Sequence, residues 1–265
     1  HWRTRFDFAI SENKKAGLYS SKTKKVIEID ECLIALEEIN TSEIFNTKWD
    51  GNDRVRVSVS STNQINVSRG KMTISGPSKL REVIDKNIYN ISSHSFWQSH
   101  INAPKTLIDL AINFMKLKPG DIVCDLYGGV GLFTMPITEK IGNHGHVHLI
   151  ELSNHSTRDA SKIFREYNNV SIHKGSVDKK LPYIDDIDVI LLDPPRTGAG
   201  KLVIDQIASK KPRTIVYVSC DPASLARDSR FLEDSGYSLD KITAIDLFPM
   251  THHIECIVKF VRKTN

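Results

Sequence analysis

A chain of 265 residues can hold one large domain, or a domain with a smaller appendage, around a sizeable core. With 40% apolar and 26% charged residues and no low-complexity run, the composition excludes disorder, and no uncharged apolar run of about 18 residues marks a membrane span. The formal net charge of +4 is compatible with a nucleic-acid partner but does not demand one.

The N-terminus, His1-Trp2-Arg3-Thr4-Arg5, has neither the apolar stretch nor the cleavage site of a secretory signal, so a cytoplasmic, monomeric protein is expected. From Trp2 to about Ser75 the chain alternates apolar and polar residues, as in Arg3 to Ile10 and Arg54 to Val59. This period predicts half-buried strands, separated by turns such as Asp50-Gly51-Asn52. One helix, Leu33 to Ile44, interrupts them, so residues 1–94 are expected to form a small α+β domain. Between Asn13 and Ile27 the lysines 14, 15, 22, 24 and 25 meet no acidic residue; they predict a solvated hairpin or a phosphate-contacting edge.

The period changes over residues 95–265. A helix at Leu107 to Met115 precedes strands at Ile122 to Leu126, His146 to Leu152, Val170 to His173, Val189 to Leu192 and Thr214 to Ser219, with helical segments between most of them. That rhythm predicts an α/β domain with a parallel sheet covered on both faces. Leu239 to Leu247 and Ile254 to Val261 follow without an intervening helix and predict a C-terminal antiparallel hairpin.

Ligands bind doubly wound sheets at the carboxyl ends of the strands. Asp125-Leu126-Tyr127-Gly128-Gly129-Val130-Gly131 follows the first strand there, and Glu151 closes the next, where a carboxylate can accept ribose hydroxyls. Loop and acid together predict an adenosine site, shared by nicotinamide dehydrogenases and methyltransferases. The fourth strand separates the two, because it runs into Asp193-Pro194-Pro195-Arg196, a motif suited to methyltransferases acting on bases.

Cys220 ends the fifth strand, and Asp221-Pro222 after it predicts an N-cap and first helical residue. A thiol at a helix N-terminus is expected to have a lowered pKa and to act as a nucleophile. The remaining cysteines, Cys32, Cys124 and Cys256, form no CxxC pair, so neither a disulfide framework nor a metal site is expected.

Phe96-Trp97-Gln98, the glycine loop, Asp193-Pro194-Pro195-Arg196, the segment Ser219 to Asp228 and Phe248-Pro249-Met250-Thr251-His252-His253-Ile254-Glu255 follow one another in order. From Trp2 to the C-terminus this pattern resembles the RNA uracil-5-methyltransferases. The resemblance implies a Rossmann-like class I methyltransferase sheet, S-adenosyl-L-methionine bound by Gln98, Tyr127, Glu151 and Asp193, Cys220 as nucleophile and Glu255 as general base. It implies an RNA substrate, for which 23S ribosomal RNA is slightly favoured over the alternative, transfer RNA, and the lysines make residues 1–94 the candidate RNA contact region. Many members carry Cys where this chain has Gly128 and Asn where it has Leu132. Some hold an iron–sulfur cluster; Cys32 falls at its fourth ligand, but no other three cysteines precede it here.

The chemistry accounts for these residue types. A thiolate adding to carbon 6 of uracil makes carbon 5 nucleophilic, and a carboxylate must then remove the carbon-5 proton. Arg196 is a candidate for a phosphate or the enolate oxygen, and His252 and His253 for placing substrate. A cytosine-5 methyltransferase would place its nucleophile beside the fourth-strand prolines, where Arg196 stands. An amino-methyltransferase needs neither Cys220 nor Glu255, and a non-enzymatic RNA-binding module predicts no methyl transfer.

Overall fold

The computed structural model describes residues 1–51 and 54–263, so Asn52 of the predicted turn lies outside the described residues. The chain divides into two compact units, His1–Asn102 and Ala103–Asn265.

In the first unit, β1 (Arg5–Ile10), β2 (Ala16–Tyr19), β3 (Val26–Glu28), β4 (Val55–Val59), β5 (Ile65–Arg69) and β6 (Met72–Ser75) form one sheet, ordered β3-β2-β1-β4-β5-β6. A separate two-stranded ribbon pairs β7 (Lys79–Ile84) with β8 (Asn87–Ser92). Phe6, Phe8, Phe45, Trp49, Val55 and Val57 belong to the apolar core under the six-stranded sheet. The predicted helix shrinks to one turn, α1 (Glu37–Asn40). Asn40 is responsible in part: its side chain bonds the Cys32 N–H at 2.9 Å and the Cys32 carbonyl at 3.1 Å, and such local side-chain bonds compete with a helix. Leu36, extended at ψ 149°, then fixes where the turn can begin. Lys14 and Lys15 lie in the turn between β1 and β2, and Lys22, Lys24 and Lys25 in the exposed β2–β3 turn, but Lys14 meets an acid from outside the stretch, Asp50, at 2.7 Å.

The second unit alternates α2 (Ala103–Met115), β9 (Ile122–Leu126), α3 (Thr134–Ile141), β10 (His146–Glu151), α4 (Asn154–Ile163), β11 (Val170–Lys174), α5 (Val177–Lys180), β12 (Val189–Leu192), α6 (Gly200–Ser209), β13 (Thr214–Ser219) and α7 (Pro222–Asp234). β14 (Tyr237–Ile245) and β15 (Glu255–Arg262) complete it. The seven strands run β11-β10-β9-β12-β13-β15-β14, parallel except at β15, which is antiparallel to both neighbours. This is the class I methyltransferase sheet with its terminal hairpin. β12, Val-Ile-Leu-Leu, is buried on both faces, as a central parallel strand requires. Helix α2 starts four residues before its predicted first residue, because Pro104 is tolerated in a first turn. Among the described residues no helix is long and apolar enough to cross a membrane.

The reversal of order places the carboxyl ends of β9, β10 and β12 together at the switch point. Antiparallel β15 enters the sheet at the edge where parallel β13 leaves it.

Candidate active site

The loop after β9 turns through three left-handed residues, Tyr127 at φ 61°, Gly129 at 57° and Gly131 at 92°. Gly131 has a second constraint, since a Cβ there would lie 2.3 Å from the Phe164 ring. At Gly128 a Cβ would lie 2.8 Å from Leu149 Cγ, so these surroundings leave little room for the cysteine found in many members. The Gly129 N–H donates to Glu151 Oε2 at 3.0 Å and the Ser153 N–H to Oε1 at 2.5 Å. Two backbone donors thereby fix the Glu151 carboxylate at the end of β10.

Beside this loop lies a cleft of about 470 Å³, lined by Tyr127, Ile150, Leu152, Val177, Pro195 and Ala199. Ser176 and Asp178 add polar groups to an otherwise largely apolar lining. Such a cleft suits a flat heterocycle whose edge carries donors.

Carboxylates concentrate at the same edge. Burial pushes Asp125 up to about 7, against the hydrogen bond its Oδ2 accepts from Thr134 Oγ1 at 2.6 Å, and the Glu151 charge adds to the rise. Its Oδ1 is buried without a hydrogen-bond partner among the described residues. Burial, then the charges of Glu255 and Asp125, hold Asp193 well above the usual carboxylate range. Glu255, only 4% exposed, is pushed by burial to about 7. Confined acids of like charge cannot all ionise cheaply, and a bound cation relieves them. The edge is therefore built for a positively charged ligand.

Cys220 stands half-buried between β13 and α7. Asp221 caps that helix through Oδ1, which accepts the Ser224 N–H at 2.7 Å, and Pro222 opens the first turn as expected. The expected fall in thiol pKa does not follow: burial, then the charges of Glu255 and Asp193, push the Cys220 thiol up. Arg196 and a backbone N–H oppose them but lose. A helix terminus contributes about 0.3–1 kcal/mol, less than desolvation beside two carboxylates. Arg196 Nη2 lies 2.8 Å from His253 Nε2, and the His253 ring is 4.1 Å from that of His252 between centroids.

The structure thus brings Tyr127, Glu151, Asp193, Cys220 and Glu255 to one rim of the second unit. Gln98, in the first unit, is buried at 8% exposure. Asp125 was missed by sequence reasoning, although an acid ending the apolar run Ile122-Val123-Cys124 was a usable signal. Among the described residues no cluster of His, Cys, Asp or Glu is arranged to hold a metal ion.

A family model described as tRNA (Uracil-5-)-methyltransferase matches residues 140–263. An "Uncharacterized RNA methyltransferase" of Streptomyces avermitilis is 34% identical, over 97% of this chain and 66% of the relative. Another, of Corynebacterium efficiens, is 30% identical over 99% and 67%. The chain therefore spans about two thirds of the length of these curated relatives. The crystal structure of Pyrococcus abyssi tRNA (uracil-54, C5)-methyltransferase in complex with S-adenosyl-L-homocysteine superposes with a TM-score of 0.76. It covers 98% of this chain and 76% of that one at 22% identity, a likeness of fold. The chain belongs to the family of RNA methyltransferases.

Proposed function

We propose that this chain transfers a methyl group from S-adenosyl-L-methionine to carbon 5 of a uridine in RNA, through a covalent adduct with Cys220. The observation that carries the reading is the meeting of Cys220, Glu255 and Asp193 at one sheet edge, where the thiol feels both carboxylates and Asp193 feels Glu255. A methyltransferase acting on an amino group has no use for a thiol and a second carboxylate there.

The residues fit the cofactor. Glu151 is oriented to accept ribose hydroxyls, the cleft beside Tyr127 and Leu152 suits the adenine, and Asp193 with the unpartnered Asp125 Oδ1 suits the cationic end. Bound S-adenosyl-L-methionine supplies an electrophilic methyl group. The part of Gln98 rests on the resemblance alone.

Cys220 adds through sulfur to carbon 6, moving the ring's electron pair onto carbon 5 and the carbonyl oxygen. Carbon 5 then takes the methyl group. Glu255 removes the carbon-5 proton, and the electrons left behind re-form the ring double bond as the bond from carbon 6 to sulfur breaks. A cation beside Asp193 and Glu255 offsets the charges that hold the thiol protonated, so filling the site favours the thiolate. The target uridine must be single-stranded or flipped for sulfur to reach carbon 6. Arg196, exposed beside Cys220, is assigned to a phosphate or the enolate oxygen, and the exposed β2–β3 lysines to the RNA backbone.

The test is to incubate the protein with total RNA and methyl-labelled S-adenosyl-L-methionine and identify the labelled nucleoside. The expected product is 5-methyluridine. Label in 5-methylcytidine or methylated purines, or no label at all, would overturn the reading. Ribosomal RNA is the proposed target class, and product confined to transfer RNA would overturn that part alone.

A further inference from the structure

Asp228 lies on α7, fully buried, two turns beyond Cys220. Its carboxylate accepts from the Ala199 N–H at 2.7 Å, the Gly200 N–H at 3.2 Å and the Tyr217 hydroxyl at 2.8 Å. Arg227 Nε and Nη2 occupy the other oxygen at 2.9 and 2.7 Å, and the same Nη2 donates to the Thr197 carbonyl at 2.8 Å. A buried carboxylate is costly to leave unpaired, and this one is satisfied from three directions.

Helix α6 begins at Gly200, and its N-cap, Ala199, has no side chain that can cap it. Asp228 supplies that cap from another helix, placing negative charge at the positive end of α6. The segment between, Pro195 to Gly200, is the stretch that follows Asp193 and contributes Pro195, Ala199 and Gly200 to the cleft. It lies tightly on α7: at Gly198, φ 76°, a Cβ would sit 2.6 Å from Asp228 Oδ2 and 3.1 Å from Ser224 Cβ. Burial, then the Asp228 charge, push up Tyr127, which also lines the cleft, and Tyr217, keeping the latter a donor.

We infer that Asp228 is a positioning residue that docks the Pro195–Gly200 wall of the cofactor cleft onto the helix that starts beside the nucleophile. One carboxylate thereby sets the width of the cleft and the place of that wall relative to Cys220. The inference rests on the cleft being the cofactor site. Asp228 touches neither substrate nor cofactor in this account, so its removal should act on cofactor affinity through the wall it holds.

The experiment is calorimetric titration of S-adenosyl-L-methionine, with no RNA present, into wild type, Asp228→Ala, Asp228→Asn and Gly198→Ala. Asp228→Ala should weaken binding by roughly tenfold or more. Asp228→Asn keeps an oxygen for the Ala199 and Gly200 N–H groups and should recover most of the loss. Gly198→Ala leaves Asp228 intact but lifts the segment from α7, so it should weaken binding too and serves if Asp228→Ala does not fold. Wild-type binding with unchanged affinity in a folded Asp228→Ala, or in Gly198→Ala, overturns the inference, even where the melting temperature falls. Wild type that binds no cofactor removes the cleft assignment and this inference with it.

Discussion

Cys220 and Glu255 face each other across the end of an antiparallel strand pair. The β13–β15 register closes with Ser219 opposite Cys256, so the next residue on each strand is Cys220 on one and Glu255 on the other. Thirty-five positions apart in sequence, they stand side by side at the rim, and the carboxylate charge raises the thiol pKa.

That pairing sets the sign of two effects on thiol reactivity. Glu255→Gln removes a negative neighbour and should lower the Cys220 pKa, whereas Arg196→Ala removes a positive one and should raise it. The pH dependence of Cys220 alkylation by iodoacetamide, without RNA, measures both. Shifts of the same sign in the two variants would show that the thiol does not sense these charges.

Glu255 as base makes a separable prediction. Glu255→Gln should still add Cys220 to carbon 6 and accept the methyl, but stall before release, leaving a denaturant-resistant protein–RNA band with ordinary uridine RNA. Turnover should fall by about 10²–10⁴-fold. With Glu255 near 7, wild-type release should speed up as pH rises through neutrality, because only the ionised carboxylate accepts a proton. A Gln variant that turns over normally without a trapped band would remove Glu255 from the mechanism.

Much of this was readable in the sequence, for a physical reason. β9, β12 and β13 match their predicted bounds because central parallel strands are apolar runs that meet charge, Pro or Gly within two residues of each end. β14 begins at Tyr237, two residues before its predicted start, because it is an edge strand whose mixed burial blurs the boundary. The Cys220–Glu255 pair was legible through its motifs, but the direction of the thiol shift was not. Helix-end chemistry is local, while the carboxylates that outweigh it arrive from β12 and β15. Asp228 was hidden likewise, because Ala199 and Gly200, whose N–H groups it accepts, lie 29 and 28 residues upstream.

Cofactor binding should stabilise the fold. At 100 times its dissociation constant S-adenosyl-L-methionine should add about 2.7 kcal/mol, seen as a rise of several degrees in melting temperature, and NAD should give none. No shift with saturating S-adenosyl-L-methionine in a folded sample would count against the cleft assignment.

A histidine cluster away from the site sets an acid limit. His148 Nδ1 lies 3.0 Å from His173 Nε2, and burial, then the charges of His146 and His173, lower His148 to about 4. The unfolded chain takes this proton near pH 6.5 and the folded chain only near 4, so stability falls as pH drops across that window. His148→Gln should flatten the slope between pH 6.5 and 4, by about 1–2 kcal/mol in total given its partial exposure. Parallel curves for variant and wild type in urea would show that His148 titrates freely.

The most direct test of the covalent mechanism is mass spectrometry of the protein after reaction with 5-fluorouridine RNA and S-adenosyl-L-methionine. Fluorine at carbon 5 cannot leave as a proton, so the methylated adduct should persist and map to the peptide containing Cys220. Cys220→Ala should bind cofactor and form none. An adduct on Cys32, Cys124 or Cys256, or none while ordinary RNA is still methylated, would contradict the assignment of Cys220 as nucleophile.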